Sequence, residues 1–240
     1  MTIHNPYWDE VKSLAVPARH SWQGPQIGAE MSTSEVLAHI RDCRDDAEAD
    51  TLVRRWAQQA ADMIRIRLNF VRKYCWSVPS PDAVDFVIAA ANDRILDPIA
   101  GTGYWAYLLT QGGVDCLAFD ENPPAVERDD NEWHPNSATF THVEQADAVD
   151  TVKAHGHDRT LFLSWPPNSP LAHDILTAYP GNRVIYLGEN KHGCTGDSAF
   201  FELLDWEWTI SEFFVLSQWD TIHDALWVFD RDGIHDGGEP

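Results

Sequence analysis

The chain has 240 residues, with 38 acidic side chains against 17 basic ones and a formal net charge of −21. That length suits one domain of ordinary size with an N-terminal extension, long enough to bury a sizeable core. The mean field repels polyanions and anionic membrane surfaces, so nucleic acid is disfavoured as a partner, and no apolar run of ~18 residues offers a membrane span.

Residues 1 to 31 set Pro6, Pro17, Gly24, Pro25 and Gly28 between aromatic residues, a pattern that predicts an irregular arm laid over the body. Ser32-x-x-Glu35 is a capping box and starts a helix to about Asp46. A second helix, about 48 to 74, carries Leu52, Trp56, Ala60, Met63, Phe70 and Tyr74 as an apolar stripe. Arg65, Arg67, Arg72 and Lys73 sit on the same helix, either as a solvated face or turned to a substrate channel. Pro79 and Pro81 break it, and Pro81 opens a further helix through Asn92.

From Arg94 strands and helices alternate. Strands are predicted near 94–97, 115–119, 139–143, 160–164 and 183–187, with helices near 103–112, 123–130, 147–155, 170–179 and 197–205. Such an order builds a parallel sheet covered on both faces. The end differs: Glu207 to Leu216 and Asp224 to Phe229 are β-rich runs with no helix between them, expected as a terminal antiparallel pair. The acidic tail after Asp230 is expected to fray.

The chemistry concentrates where the alternation begins. Arg94-Ile95-Leu96 feeds Asp97-Pro98-Ile99-Ala100-Gly101-Thr102-Gly103, a strand ending in an acid and a Gly-x-Gly turn that opens a helix. Glycine lets the backbone adopt positive φ and approach a ligand, and the helix N-terminus behind it offers unpaired N–H groups. The second strand ends in Asp120, an acid that can accept both ribose hydroxyls of an adenosine. Dinucleotide folds seat a pyrophosphate on Gly-x-Gly-x-x-Gly, and here Ala106 fills the third glycine position, so S-adenosylmethionine fits better than NAD.

Residues 93 to 230 resemble a class I S-adenosylmethionine-dependent methyltransferase, and Asp97 to Gly103 is similar to the Asp-Pro-Phe-x-Gly-x-Gly cofactor loop of amino-methyltransferases. The Trp-Pro-Pro piece, with Tyr74-x-Trp76-x-x-Pro79 and Gly188 to Asp197, resembles a bacterial and fungal methyltransferase-like group. The resemblance implies an α/β fold with a Rossmann-like, mostly parallel sheet, residues 93–240, and a helical N-terminal extension, residues 1–92, capping the pocket. It implies that Asp97 and the backbone of Ala100, Gly101, Thr102 and Gly103 hold the methionine moiety, Asp120 with Glu121 beside it the ribose, and Asp147 the adenine amino group. Asp150 and Glu144 are alternatives to Asp147, which could equally be a helix cap. Of Tyr104 and Trp105, one is expected in the cofactor pocket and the other in the core; Tyr104 is counted with the cofactor residues.

Ser164 to Asn168 then form the methyl-transfer site, with Ser164 also at the cofactor. Amino-methyltransferases carry (Asp/Asn/Ser)-Pro-Pro-aromatic there, whereas this chain has Trp165-Pro166-Pro167-Asn168, which suggests exchanged roles: Asn168 hydrogen-bonding and Trp165 packing on substrate or sulfonium. Tyr74, Trp76, His192 and His223 are substrate-side candidates. Cys43, Cys75, Cys116 and Cys194 contain no Cys-x-x-Cys pair, so neither zinc nor a disulfide framework is expected, and the compartment is expected to be the reducing cytoplasm. The expected activity is methyl transfer to an amino or other nucleophilic group of a small molecule. The alternatives are a nucleobase N-methyltransferase on DNA or RNA and a methyltransferase-like binding or regulatory protein without turnover.

Overall fold

The computed structural model describes residues 2–16, 26–27, 33–128, 130–191, 193–219 and 222–231. The arm opens with helix α1 (Pro6–Val11), where an irregular segment is predicted. The signal was present: Asn5 caps the helix through its side-chain oxygen on the Trp8 N–H at 3.0 Å, and Pro6 stands in its first turn. Strand β1 (Ala15–Val16) pairs with β2 (Gln26–Ile27), which pairs with β9 (Gln218–Trp219) in a small sheet of its own. Ser32, Pro17, Gly24, Pro25 and Gly28 lie outside the described residues.

Helices α2 (Thr33–Asp42), α3 (Asp46–Lys73) and α4 (Pro81–Ala90) follow, and Asp45 and Ser80 cap the last two. Then come β3 (Arg94–Asp97), α5 (Tyr104–Gln111), β4 (Asp115–Asp120), β5 (Glu144–Gln145), α6 (Ala148–His155) and β6 (Thr160–Ser164). The chain ends with α7 (Leu171–Ala178), β7 (Arg183–Gly188), α8 (Ser198–Glu207), β8 (Thr209–Val215), β9 and β10 (Ala225–Asp230). The main sheet runs β5-β4-β3-β6-β7-β10-β8. Its pairs from β5 to β7 are parallel, and β10 is antiparallel to both neighbours. This is a Rossmann-like α/β sheet, mostly parallel with an antiparallel last strand.

Period-two alternation sends successive side chains to opposite faces and builds two cores. Ile95, Phe162, Ile185 and Leu187 pack with Val84, Val87, Leu108 and Leu109 on the face of α4 and α5. Leu96, Leu161, Leu163 and Val184 pack with Val152, Ile175, Leu176 and Leu204 on the face of α6, α7 and α8. Each such Leu, Ile or Val contributes roughly 1.5–3 kcal/mol. Tyr7 and Val11 of α1 belong to the first core, so this helix is part of the interior.

Two predicted elements are absent. Residues 123–130 form no helix among the described residues, because Pro123-Pro124 disfavours the helical region for the residue before each proline. Residues 139–143 are not a strand; the third parallel strand is β5, one residue further on. The run 139–143 instead lies across the glycine turn: the Phe140 N–H donates to the Thr102 carbonyl at 2.8 Å, and Phe140 packs on Tyr74 and Tyr104. The terminal pair forms as expected, with a register shift between Val228 and Phe229. The tail from residue 232 lies outside the described residues.

Candidate active site

Because β3, β4 and β6 are parallel, their carboxyl ends share one edge, which brings Asp97, Asp120 and Ser164 to one crevice of about 630 Å³. Between β3 and α5 the backbone turns through Gly101 at φ 55° and Gly103 at φ 68°. A Cβ on Gly101 would stand 3.0 Å from His134 Nε2, and one on Gly103 2.7 Å from Val143 Cγ2, so both positions need glycine for conformation and for space.

Asp97 is buried and lines the crevice. One carboxyl oxygen, Oδ1, has no hydrogen-bond partner. Burial pushes its pKa up to about 8, against the Ile99 N–H that favours the ionised form, with the charge of Asp120 pushing the same way as burial. Asp120 faces the glycine turn: Oδ2 accepts from the Gly101 N–H at 2.8 Å and Oδ1 from the Asn122 N–H at 2.9 Å. Each oxygen keeps a further lone pair. Glu121 and Asp147 also line the crevice. Asp147 caps α6 by accepting from the Asp150 N–H at 2.8 Å, so the capping role occurs and leaves its second oxygen uncommitted to the helix.

The remaining loop residues divide. Ala100, Gly101 and Thr102 line the crevice, but the Ala100 N–H is bonded to the Phe119 carbonyl at 2.8 Å and the Thr102 hydroxyl donates to the Tyr74 carbonyl. Gly103 shapes the turn from behind. Tyr104 does not line the crevice: it is fully buried, donating to Asn5 Oδ1 and accepting from the Tyr7 N–H, both at 2.9 Å. Its neighbour Trp105 lines the crevice instead, its indole N–H donating to Ser77 Oγ at 3.0 Å.

At the end of β6, Ser164, Trp165, Pro166, Pro167 and Asn168 all line the crevice. Trp165 has φ 52°, an outlier for a bulky residue that costs of order 1–3 kcal/mol. Three contacts hold it there. Its N–H donates to the Leu187 carbonyl at 2.7 Å, its indole N–H to Asp224 Oδ1 at 2.9 Å, and its ring stacks on Trp76 at 5.2 Å. Arg67 sets its guanidinium 4.9 Å from the Trp165 ring and 5.3 Å from Trp76. The basic stretch on α3 is therefore mixed: Arg65 stays on the surface, paired with Asp62, while Arg67 turns inward. Burial raises the Asp224 carboxyl to about 7, offset by the Trp165 hydrogen bond and the Arg67 charge.

Tyr74 and Trp76 both line the crevice. His192 lies outside the described residues. His223 is not among the crevice residues; its backbone N–H donates to Glu189 Oε1 at 3.0 Å. Glu189 also accepts from the Cys194 thiol at 2.9 Å and the Cys194 N–H at 2.8 Å. Burial opposes ionisation of Glu189, yet these donors hold its carboxyl below the usual range.

Sequence reasoning missed the segment from Asp130 to His134, which lines the mouth. Asn131 Oδ1 accepts from the N–H groups of Trp133 and His134, folding a tight turn. His134 Nδ1 lies 3.3 Å from the Arg72 carbonyl, which only accepts, so Nδ1 carries the proton and Nε2 is an acceptor beside Gly101. Burial lowers its pKa. The sequence signal was an Asx turn between prolines, which gives no hint of where it docks.

No protein-family model and no curated protein sequence matches the chain. Among solved structures, it is similar to a protein studied for the conversion of a disulfide bond into a thioacetal group during echinomycin biosynthesis. That match has 16% identity over 63% of this chain and 82% of the other, with a TM-score of 0.43. It is also similar to TehB from Haemophilus influenzae, with 12% identity, 69% and 67% coverage and a TM-score of 0.41. A third match is CalO1, a methyltransferase in calicheamicin biosynthesis in its SAH-bound form, with 12% identity, 84% and 64% coverage and a TM-score of 0.33. At such distances the chemistry has to be read from the crevice itself.

Proposed function

We propose that the chain binds S-adenosylmethionine and transfers its methyl to an amino or other nucleophilic group of a small molecule. The observation that carries this is the buried, unpartnered Asp97 Oδ1 beside the Gly101 turn and Asp120. A buried acceptor without a donor is costly in a finished interior and is satisfied by a ligand bearing N–H groups. An α-ammonium supplies them.

When bound, S-adenosylmethionine supplies an activated methyl on a sulfonium. Asp97 accepts from the ammonium and offsets its charge. Asp120 uses its remaining lone pairs for the ribose hydroxyls, with Glu121 beside it. Asp147 offers its second oxygen to the adenine amino group. Gly101 lets the His134 ring pack against the turn, where a side chain would collide with it. Ser164, Pro166 and Asn168 line the corner where the acceptor sits, and Trp165 walls it; positioning in a closed corner supplies most of the rate in such a displacement. Residues 93–240 act as the catalytic core and residues 1–92 as its helical extension, which reaches the crevice through Tyr74, Cys75 and Trp76. All four cysteines are free, in keeping with a reducing cytoplasm. Among the described residues that line the crevice there is no Lys or Arg, which weighs against a nucleic-acid acceptor.

Isothermal titration calorimetry with S-adenosylmethionine and S-adenosylhomocysteine tests the reading. Micromolar binding of both, weakened at least tenfold in Asp120→Ala, is expected. Binding of neither ligand by the folded wild type overturns it.

A further inference from the structure

The acceptor side of the crevice carries more recognition chemistry than a methyl donor requires. Trp133, half exposed, meets the Trp76 ring edge-on at 5.5 Å, and Trp76 stacks on Trp165 at 5.2 Å, so an unbroken indole wall runs from the Pro166 corner to the mouth. The formally charged residues that line the crevice are all acidic. Three of the six are engaged, since Asp120 holds the glycine turn, Asp147 caps α6 and Asp130 pairs with Arg128, while Asp97 and Glu121 lie on the side of the crevice assigned to the methyl donor. Glu132, next to Trp133, has no side-chain partner among the described residues. Arg67 does not line the crevice; its guanidinium lies against the Trp165 and Trp76 rings, 4.9 and 5.3 Å from their centres, and is faced by Asp224, so the half-exposed Trp133 is the indole open to a ligand cation.

We infer that the methyl acceptor is a small arylalkyl amine, its ring laid on the Trp76–Trp133 wall and its cationic nitrogen attracted by Glu132 and the Trp133 indole. This rests on the methyl-transfer reading and names its substrate class. An indole wall attracts cations through its ring quadrupoles, and an acidic lining raises the local concentration of positive ligands while repelling phosphates and carboxylates. The charge movement of the reaction suits the same surroundings. The amine arrives as an ammonium and gives one proton to water. Its lone pair forms the N–C bond to the methyl while the C–S pair returns to sulfur, leaving a thioether. The positive charge that leaves sulfur reappears on nitrogen, still within the acidic, aromatic crevice.

Two probes share a ring and chain and differ in charge: tryptamine and indole-3-propionate, each titrated into protein saturated with S-adenosylhomocysteine. Tryptamine is expected to bind at least about tenfold more tightly. Glu132→Gln is expected to cut that preference about threefold or more, and Trp133→Ala to weaken both probes about fivefold, with S-adenosylhomocysteine affinity unchanged in each variant. Equal or tighter binding of the carboxylate, or binding of neither probe by protein that binds S-adenosylhomocysteine, overturns the inference and leaves the methyl-donor reading standing. A wild type that does not bind S-adenosylhomocysteine removes both.

Discussion

Asp97 holds a carboxyl in a place where water does not reach it and where the protein supplies donors to only part of it. With its pKa raised to about 8, it is protonated in the ligand-free protein near neutrality, and in the pose proposed above it has to ionise to meet the ligand's ammonium. Binding is therefore linked to proton release, and affinity rises with pH up to about 8. Calorimetry with S-adenosylhomocysteine from pH 6 to 8 is expected to show up to roughly a tenfold gain per pH unit, and Asp97→Asn a flat, weaker profile. The stability of the ligand-free protein runs the other way. A group whose folded-state pKa lies above its unfolded value stabilises fully below the unfolded value and loses that contribution as pH rises through the folded one, here from about 4 to about 8. Asp97→Asn is thus expected to melt above wild type at pH 8 and to lose that advantage near pH 4. The position of this acid was legible in the sequence, since it ends an apolar strand before glycines. Its missing partner was not, because orphaning depends on what packs around it.

Elements legible in the sequence were those whose periodicity and caps agree. Strands β3, β6 and β7 carry apolar runs (Ile95-Leu96, Leu161 to Leu163, Val184 to Leu187) because both faces are covered, and α4 starts at Ser80-Pro81 as its cap and proline demand. Failures fell where long-range packing decided the outcome. Residues 139–143 have strand-like composition, yet Phe140 is worth more against Tyr74 and Tyr104 than in a ladder. Helix α1 is only six residues long, its signal confined to Asn5-Pro6, and its docking holds Tyr104 in the interior: one phenol oxygen bonds both Asn5 and Tyr7. The same long-range assembly brings Arg67 of α3, Trp76, Trp165 and Asp224 together, four residues with no sequence spacing in common. Tyr104→Phe leaves the Tyr7 N–H without its acceptor and is expected to cost about 1–3 kcal/mol, a fall in Tm of about 2–12 °C. Its S-adenosylhomocysteine affinity should stay at the wild-type value, whereas a cofactor-lining Tyr104 would lower it.

At the scale of the whole molecule, a net charge of −21 makes the folded state repel itself. Raising sodium chloride from about 20 mM to about 500 mM shortens the screening length to a few ångströms and is expected to raise Tm; a fall would mean that ion pairs outweigh the repulsion. In the proposed reaction the acidic crevice gives that charge a use, since the sulfonium and the amine acceptor would both enter as cations. No helix among the described residues is long and apolar enough to cross a membrane. The sheet, the glycine turn and the two strand-end acids converge on one ligand pose, which a crystal structure with S-adenosylhomocysteine reports directly. Its ribose hydroxyls are expected on Asp120 and its amino nitrogen within hydrogen-bonding distance of Asp97 Oδ1. Ligand bound elsewhere, or an Asp97 that still lacks a partner in the complex, would contradict that pose.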